Sequence, residues 1–295
     1  MDASTPRIAI VGSVNLDLVA RAPRLPAPGE TVTGAQLARY PGGKGANQAL
    51  AVQRLGGAAS LFAEVGEDAE AQAALALLRA EGVDLTNCRA RPGTSTGVAL
   101  IVVSPEGENQ ITVAPGANET FRPAHLDLAG FDAVLCQLEV PDETVAAAAE
   151  AAEGLFCISL APYRPLPRAL LARADLLVMN QGEALAAGDL LAGHPGLQAI
   201  TLGADGARLV RGGEEISAAR APAIEAVDAT GAGDAFTAAL VMEWVRGSPP
   251  EQALTFACSA GAAAAQRVGA QPALPTRTDI SALESNTHAT SSSAG

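Results

Sequence analysis

Aromatic residues are scarce in this chain: 3% of 295 residues, with one tryptophan, Trp244. The core must therefore be built from Ala, Leu, Val and Ile. Trp244 sits on a helical pattern and reads as a core or rim residue, not a base-stacking platform. Basic residues are also few: 19 Lys and Arg stand against 32 Asp and Glu, a formal net charge of −13. Nucleic-acid binding needs a basic stripe to neutralise phosphates, and none is present, so that class is excluded. The excess charge reads as a solvated acidic surface. A protein this acidic must handle phosphates locally, with backbone amides, a few Lys or Arg side chains and Mg2+. The four cysteines, Cys88, Cys136, Cys157 and Cys258, lack CxxC spacing, which argues for reduced, buried thiols and a cytoplasmic setting. The three histidines, His125, His194 and His288, form no His-x-x-x-His pair and no Ser/His/Asp arrangement, which argues against zinc chemistry and triad hydrolysis. No apolar run reaches the ~18 residues of a membrane-spanning helix. The opening Met1–Arg7 is too short and polar for a signal peptide.

The rest of the pattern is that of an α/β protein. Arg7–Gly12 reads as a buried strand, Asn15–Ala20 as a second extended piece and Thr31–Tyr40 as a half-buried one. Gly42 and Gly43 precede a helix at about Ala46–Leu55, closed by Gly56-Gly57. Ser60–Val65 is a predicted strand and Asp68–Ala80 a helix. Thr96–Val103 and Gln110–Val113 flank Pro105-Glu106-Gly107 as a hairpin. From about Phe131, short buried strands (Ala133–Leu138, Leu155–Leu160, Leu176–Met179, Ala199–Leu202) alternate with helical runs such as Thr144–Ala152 and Leu166–Ala174. That alternation indicates parallel βαβ units. Helices Ala235–Val245 and Glu251–Arg267 follow. The predicted fold is a doubly wound α/β domain over 1–284, a mostly parallel sheet flanked by helices. A small antiparallel β lid comes from about 15–41 and 94–118. Residues 285–295, rich in Ser, Thr and Ala, are expected to form a tail without regular structure. In an open parallel sheet ligands bind outside the carboxyl ends of the strands, where a lid can exclude water.

Asp228-Ala-Thr-Gly-Ala-Gly-Asp234 places small residues and an acid at the start of a helical run. A helix start offers unpaired N–H groups and a positive dipole end. Gly231 and Gly233 let that backbone approach a ligand, so Asp234 stands beside an anion cradle. An anion cradle with a carboxylate base suits phosphoryl transfer to an alcohol; a capped Gly-rich turn is the plainer alternative. The helix start favours the ionised carboxylate and is expected to make Asp234 a weak base. Tyr40-Pro-Gly-Gly-Lys-Gly-Ala-Asn-Gln48 lacks Walker A spacing, yet its glycines, Lys44 and Asn47 converge on one small polar ligand. Asn15 and Asp17 point the same way from an extended segment and can bracket vicinal hydroxyls; a turn pair is the alternative. Glu139 lies at a strand's carboxyl edge. Asn180 ends another strand, and Glu183 can hold Mg2+ through water or cap the next helix. Thr201-Leu202-Gly203-Ala204-Asp205-Gly206 is a strand-to-turn transition that forms either a nucleotide wall or an ordinary turn.

In this order and spacing these elements resemble the PfkB carbohydrate kinase family, in its ribokinase branch, from about Arg7 to about Pro275. Gly269-Ala-Gln-Pro272 matches as well. The resemblance implies an ATP-dependent kinase that phosphorylates the 5-hydroxyl of D-ribose. Deoxyribose, fructose, a ketoacid sugar or a nucleoside such as pseudouridine are the other acceptors, and a non-catalytic sugar binder is the rival class. A nucleoside acceptor calls for an aromatic lid, and residues 94–118 contain no aromatic residue. The resemblance implies that Asp234 is the base and that the N–H groups of Gly231, Ala232 and Gly233 form the anion hole. Asn15, Asp17, Gly43, Lys44, Asn47 and Glu139 would hold the sugar. Asn180, Thr201, Leu202, Gly203, Ala204, Asp205, Gly206, Gly233 and Cys258 would line the ATP site. Glu183 would support Mg2+, and Asp228 with Thr230, Ala264, Arg267 and Gly269 would bind K+. A homodimer through the lid is implied too. Three departures stand out: a short segment between Glu183 and Ala199, Ala273 where the family places a Ser near the cation, and Cys258 where larger polar residues line the adenine pocket.

Overall fold

The structure is a computed structural model and describes residues 5–292. Its strands are β1 (Arg7–Val11), β2 (Asn15–Arg21), β3 (Gln36–Gly42), β4 (Ala58–Gly66), β5 (Cys88–Arg91), β6 (Gly97–Val103), β7 (Asn109–Ala114), β8 (Ala133–Cys136), β9 (Leu155–Ser159), β10 (Leu176–Asn180), β11 (Leu197–Thr201), β12 (Ala207–Arg211) and β13 (Glu214–Ala219). Its α-helices are α1 (Lys44–Arg54), α2 (Ala69–Ala74), α3 (Ala76–Ala80), α4 (Ala117–Thr120), α5 (Asp142–Ala151), α6 (Arg168–Leu171), α7 (Gln181–Ala187), α8 (Ala232–Val245), α9 (Pro250–Ala265) and α10 (Arg277–Ser292).

The body is a nine-stranded sheet in the order β13-β12-β11-β10-β9-β8-β1-β4-β5. Pairing from β11 through β5 is parallel, and only β12 and β13 run antiparallel at one edge. Strands buried on both faces read as continuous apolar runs, as Arg7–Val11 does. Alternate residues feed opposite faces: Ile8 and Ile10 join the core beneath α1, α8 and α9, while Ala9 and Val11 join the core beneath α5. Trp244 packs, partly buried, against the first of these cores.

Four features depart from the sequence expectation. β12 and β13 were not anticipated, because short strands carrying Arg211, Glu214 and Glu215 at a solvated edge lack an apolar run. The Leu166–Ala174 run yields only one helical turn, α6; Pro165 and Pro167 hold the preceding backbone extended. The Asp68–Ala80 run divides into α2 and α3 at Leu75. Helix α10 extends through Ser292, so the backbone of 285–292 is helical where a structureless tail was expected; 293–295 lie outside the described residues.

A second sheet, β3-β2-β6-β7, forms the lid. It is mixed, not antiparallel: β2 and β6 pair in parallel from Asn15↔Gly97 to Arg21↔Val103. The register sets its faces. Asp17, Val19, Tyr40, Ile101 and Ile111 look into the cleft over the body sheet. Leu18, Leu37, Leu100 and Val102 lie on the opposite face. Asp68 ties lid to body: it caps α2 by accepting from Ala71 N (2.8 Å) and accepts from Thr96 N (2.7 Å) just before β6.

Candidate active site

The carboxyl ends of β1, β8, β9, β10 and β11 face the lid across a cleft. One cavity of about 750 Å3 is lined by Asp17, Tyr40, Lys44, Glu183, Asp228, Thr230, Gly231, Gly233 and Asp234. A second, of about 940 Å3, is lined by Thr201, Gly203–Gly206, Ala229, Ala232, Cys258 and Ala262. Thr201, Ala229 and Gly233 border both, so the two are halves of one groove, each half of ligand-site size.

Asp234 lies in the first turn of α8 and is buried. Its oxygens accept from Asn47 Nδ2 (2.8 Å) and Gln48 Nε2 (3.0 Å). Burial is the largest influence on its carboxyl and raises its pKa. The Lys44 charge and the two amide donors oppose this without cancelling it. The expectation of a weak base at a helix start is therefore corrected: removal from water outweighs the dipole and makes Asp234 a stronger base than a free aspartate. Gly231 at the helix start takes φ 80°, and a β-carbon there would press on Ala270 Cα at 3.1 Å. The Ala232 N–H turns back to the Ala229 carbonyl (3.1 Å). Of the three expected anion-hole donors, that one is already engaged, leaving those of Gly231 and Gly233, which both line the cleft.

The acceptor side is a dense polar assembly. Asp17, at the cleft face of β2, is buried and its pKa is pushed up to about 7, first by burial, then by repulsion from Glu139 and Asp234, with Lys44 opposing. Burial works against the charge of Lys44, but attraction from Asp234, Glu139, Glu183 and Asp17 holds its pKa above the ordinary value. Glu139 accepts from the Ser13 hydroxyl and from Lys44 N (3.0 Å). Arg164 donates to the carbonyls on either side of Glu139, Leu138 O (3.4 Å) and Val140 O (2.7 Å), and pairs with Asp142. Asn15 Oδ1 accepts from Asn118 Nδ2 (2.8 Å), and Asn118 also bonds Val14 N and O. The oxygen of Asn47 is buried without a partner among the described residues. The glycines here are steric requirements: a β-carbon on Gly42 would stand 2.4 Å from the Asp17 carboxylate, and one on Gly45 2.5 Å from Ser13 N.

On the nucleotide side, Gly203–Asp205 is a short 3-10 turn after β11, with Leu202 N bonded to Gly206 O (2.8 Å). Thr201, Gly203, Ala204, Asp205, Gly206, Gly233 and Cys258 line the cavity as expected. Leu202 does not; its side chain packs against the core beneath α5. Asn180 borders the other cavity and caps α7. Glu183 closes that capping box: its carboxylate accepts from Asn180 N (2.7 Å) while its own N–H donates to Asn180 Oδ1 (2.8 Å).

The profile of the pfkB family of carbohydrate kinases matches residues 5–277. The chain belongs to the pfkB family. It is 36% identical to ribokinase of Bacillus subtilis over 94% of this chain and 98% of that one. It is 31% identical to deoxyribokinase of Salmonella typhi over 91% and 95%. The solved structure of Arabidopsis thaliana ribokinase complexed with ribose and ATP superposes with a TM-score of 0.83 at 30% identity, over 95% of this chain and 98% of that one. As a member of the family, this protein is an ATP-dependent carbohydrate kinase with a ribokinase-like fold.

Several residues of this pfkB-family kinase's site escaped the sequence reading: Ser13, Tyr40, Gln48, Asn118, Gln137 and Arg164. Gln48 stands inside the glycine-lysine motif, so its place was visible but its target was not. Asn118 and Arg164 act across long chain separations, and nothing local marks them. Asp228 accepts from Thr230 N (2.9 Å) and Gly269 N (2.9 Å), which joins the two loops assigned to a cation. Ala264 is buried at the end of α9, and the Arg267 side chain pairs with Asp279. Among the described residues no cluster of three or more His, Cys, Asp or Glu suits a metal ion, and no helix is long and apolar enough to cross a membrane.

Proposed function

We propose that this kinase transfers the γ-phosphoryl group of ATP to the 5-hydroxyl of D-ribose, giving D-ribose 5-phosphate and ADP. The observation that carries this reading is the position of Asp234. Its carboxylate is bonded to Asn47, feels the charges of Lys44 and Glu139, and shares a cavity with Asp17 and Lys44 that continues past Gly233 to the cavity of Thr201 and Cys258. Directed hydrogen-bonding groups, Asn15 and Asp17 from the lid and Lys44, Asn47 and Glu139 from the body, suit a small polyol, and among the described residues Tyr40 is the one aromatic lining the cleft beside them. The guanidinium of Arg164 is committed to Leu138, Val140 and Asp142, so it is not offered to the carboxylate of a ketoacid sugar.

The acceptor hydroxyl attacks the terminal phosphorus in line while Asp234 takes its proton. The oxygens of the transferred group face the N–H groups of Gly231 and Gly233 at the start of α8. Positioning and charge stabilisation supply most of the acceleration in such a loose transition state. Mg2+ and a monovalent cation such as K+ supply charge neutralisation when bound. The residues present fit both. Glu183 keeps one oxygen outside its capping bond, enough to hold a hydrated Mg2+ through water. At Asp228 burial raises the pKa, but its bonds to Thr230 and Gly269 outweigh it and keep the carboxylate ionised. With the carbonyls of Thr230, Ala264, Arg267 and Gly269 this makes an all-oxygen donor set.

A homodimer through the lid is part of the proposal. Leu37 and Leu100, 57% and 50% exposed, lie on the lid face turned away from the cleft, an apolar patch on strands that otherwise invite edge pairing. Light scattering tests it: a monomer at micromolar concentration overturns the dimer. A cytoplasmic setting fits four free thiols.

The experiment that tests the activity is ADP release with ATP-Mg2+, K+ and D-ribose against the same mixture without sugar, run in parallel with 2-deoxy-D-ribose and D-fructose. Ribose-dependent release is expected. Release with another acceptor and not with ribose overturns the substrate, and no release with any of the three rejects ribose and leaves another acceptor or a non-catalytic sugar binder.

A further inference from the structure

Two buried glutamines behind Asp234 have no place in the chemistry described so far. Gln48 is fully buried and gives its Nε2–H to Asp234 Oδ1 at 3.0 Å. Its own carbonyl accepts from Gln137 Nε2 at 2.6 Å, and Gln137 is fully buried too. Neither side chain lines the acceptor or the nucleotide cavity. Burying a primary amide costs free energy unless it is well bonded, and here that cost is not offset by contact with substrate.

We propose that Gln48 and Gln137 form a relay that fixes the orientation of the Asp234 carboxylate, with Gln48 positioning the base and Gln137 positioning Gln48. A primary amide is two-faced, an acceptor at one end and a donor at the other. An ionised Asp234 can only accept, so the NH2 of Gln48 faces it and the Gln48 oxygen is left for the N–H of Gln137, whose own oxygen has no partner among the described residues. Asn47 Nδ2 holds the other carboxylate oxygen at 2.8 Å. With both oxygens held from α1, the remaining lone pairs of Asp234 face the cleft, where the acceptor hydroxyl arrives. The relay moves no proton; it sets direction. A donated hydrogen bond also favours the ionised carboxylate, so removing the relay makes Asp234 hold its proton to higher pH. The other charged groups facing Asp234 are Lys44 on α1, Glu139 after β8 and Asp17 on β2, and the variants below leave all three in place.

The inference rests on Asp234 being the base. The experiment is the pH profile of kcat and kcat/KM for Asp234→Asn, Gln48→Met, Gln137→Met and the double variant Gln48→Met/Gln137→Met, with thermal unfolding of each. Gln48→Met is expected to lower kcat about 10–100-fold and to move the acid limb up by about one pH unit, with KM for ATP within about twofold. Gln137→Met leaves every contact to Asp234 intact and is expected to lower kcat about 3–10-fold and move the limb the same way. The double variant is expected to be no worse than Gln48→Met, because the two act as one unit. A normal limb and rate in Gln137→Met, or additive losses in the double variant, overturn the relay. If Gln48→Met does not fold, Gln137→Met carries the test alone. An active Asp234→Asn overturns the base assignment itself; an inactive Asp234→Asn beside normal glutamine variants overturns only the relay.

Discussion

The two halves of the cleft are built on opposite plans. The acceptor half is made of polar side chains held by other polar side chains: Asn15 by Asn118, Glu139 by Ser13, Asp234 by Asn47 and Gln48. The nucleotide half is made of almost nothing: Gly203, Ala204, Ala223, Ala226, Ala229, Ala232, Gly261, Ala262 and Ala265, with Asp205 and Arg220 its only charged residues. On the proposed assignment the first half would recognise by direction, since each hydrogen bond fixes an angle as well as a distance. The second would recognise by vacancy and backbone, since its small residues leave room for a planar group beside Ile224 and Phe236. Deletion therefore hurts the acceptor half, and addition hurts the nucleotide half.

The largest effect is expected where the halves meet. Asp234→Asn keeps the size and the site but not the base, and its kcat is expected to fall about 10^3-fold or more, while ATP still raises the unfolding temperature. A loss confined to binding would place the chemistry elsewhere. The contrast itself is tested by an opposed pair. Glu139→Gln removes a charged grip and is expected to raise KM for the sugar about 10–100-fold with KM for ATP within about twofold. Cys258→Phe fills the nucleotide cavity and is expected to raise KM for ATP about tenfold or more with little change for the sugar. If both variants move both constants together, the two-plan description fails.

A third effect reads stability instead of rate. The Asp17 carboxyl rises from an ordinary 3.8 to about 7 on folding, first through burial, then through Glu139 and Asp234. A carboxyl raised in the folded state binds more protons there than in the unfolded chain, so its contribution is present below about pH 4 and is lost as pH climbs to about 7. Asp17→Asn is therefore expected to be more stable than the parent at pH 8, by at most about 4 kcal/mol, with the difference closing toward pH 4; denaturant titration at both values checks it. An unchanged gap between pH 4 and pH 8 would show that Asp17 is not strained by its neighbours. The smallest effect is expected from Cys258→Ser. Burial pushes this thiol's pKa up to about 12, it serves as a small wall residue, and both KM values should stay within about threefold.

The same contrast explains what could be read from the chain alone. Asp234, Lys44, Asn47 and the glycines around them sit in compact motifs, where the residue types betray the chemistry, and the structure brings them together. The βαβ order was legible because strands buried on both faces must be apolar throughout. The supports were not legible: Asn118 and Arg164 reach their targets across more than a hundred and about twenty-five positions, respectively. The polarity of the base was misjudged for the same reason. The dipole at α8 is local and visible in sequence, whereas the burial that outweighs it comes from packing of α8 against α9 and α1, distant in the chain. Strands β12 and β13 were missed because an edge strand needs no apolar run, and the parallel β2–β6 pairing because hairpin signals report only near neighbours.

That parallel pairing also bears on how such an enzyme can diversify. The lid is two hairpins from separate stretches of chain, 15–42 and 97–114, which meet only along β2 and β6. Because α1, β4, α2, α3 and β5 lie between the two stretches, no contiguous insert carries the lid alone from one relative to another. The outer hairpin, 97–114, is one contiguous stretch; it holds none of Asn15, Asp17, Lys44, Asn47 and Glu139, yet it turns Ile101 and Ile111 into the cleft. Replacement of that stretch alone would leave the directed polar contacts in place and change the apolar roof above them, so the two contributions to acceptor choice can be inherited from different relatives.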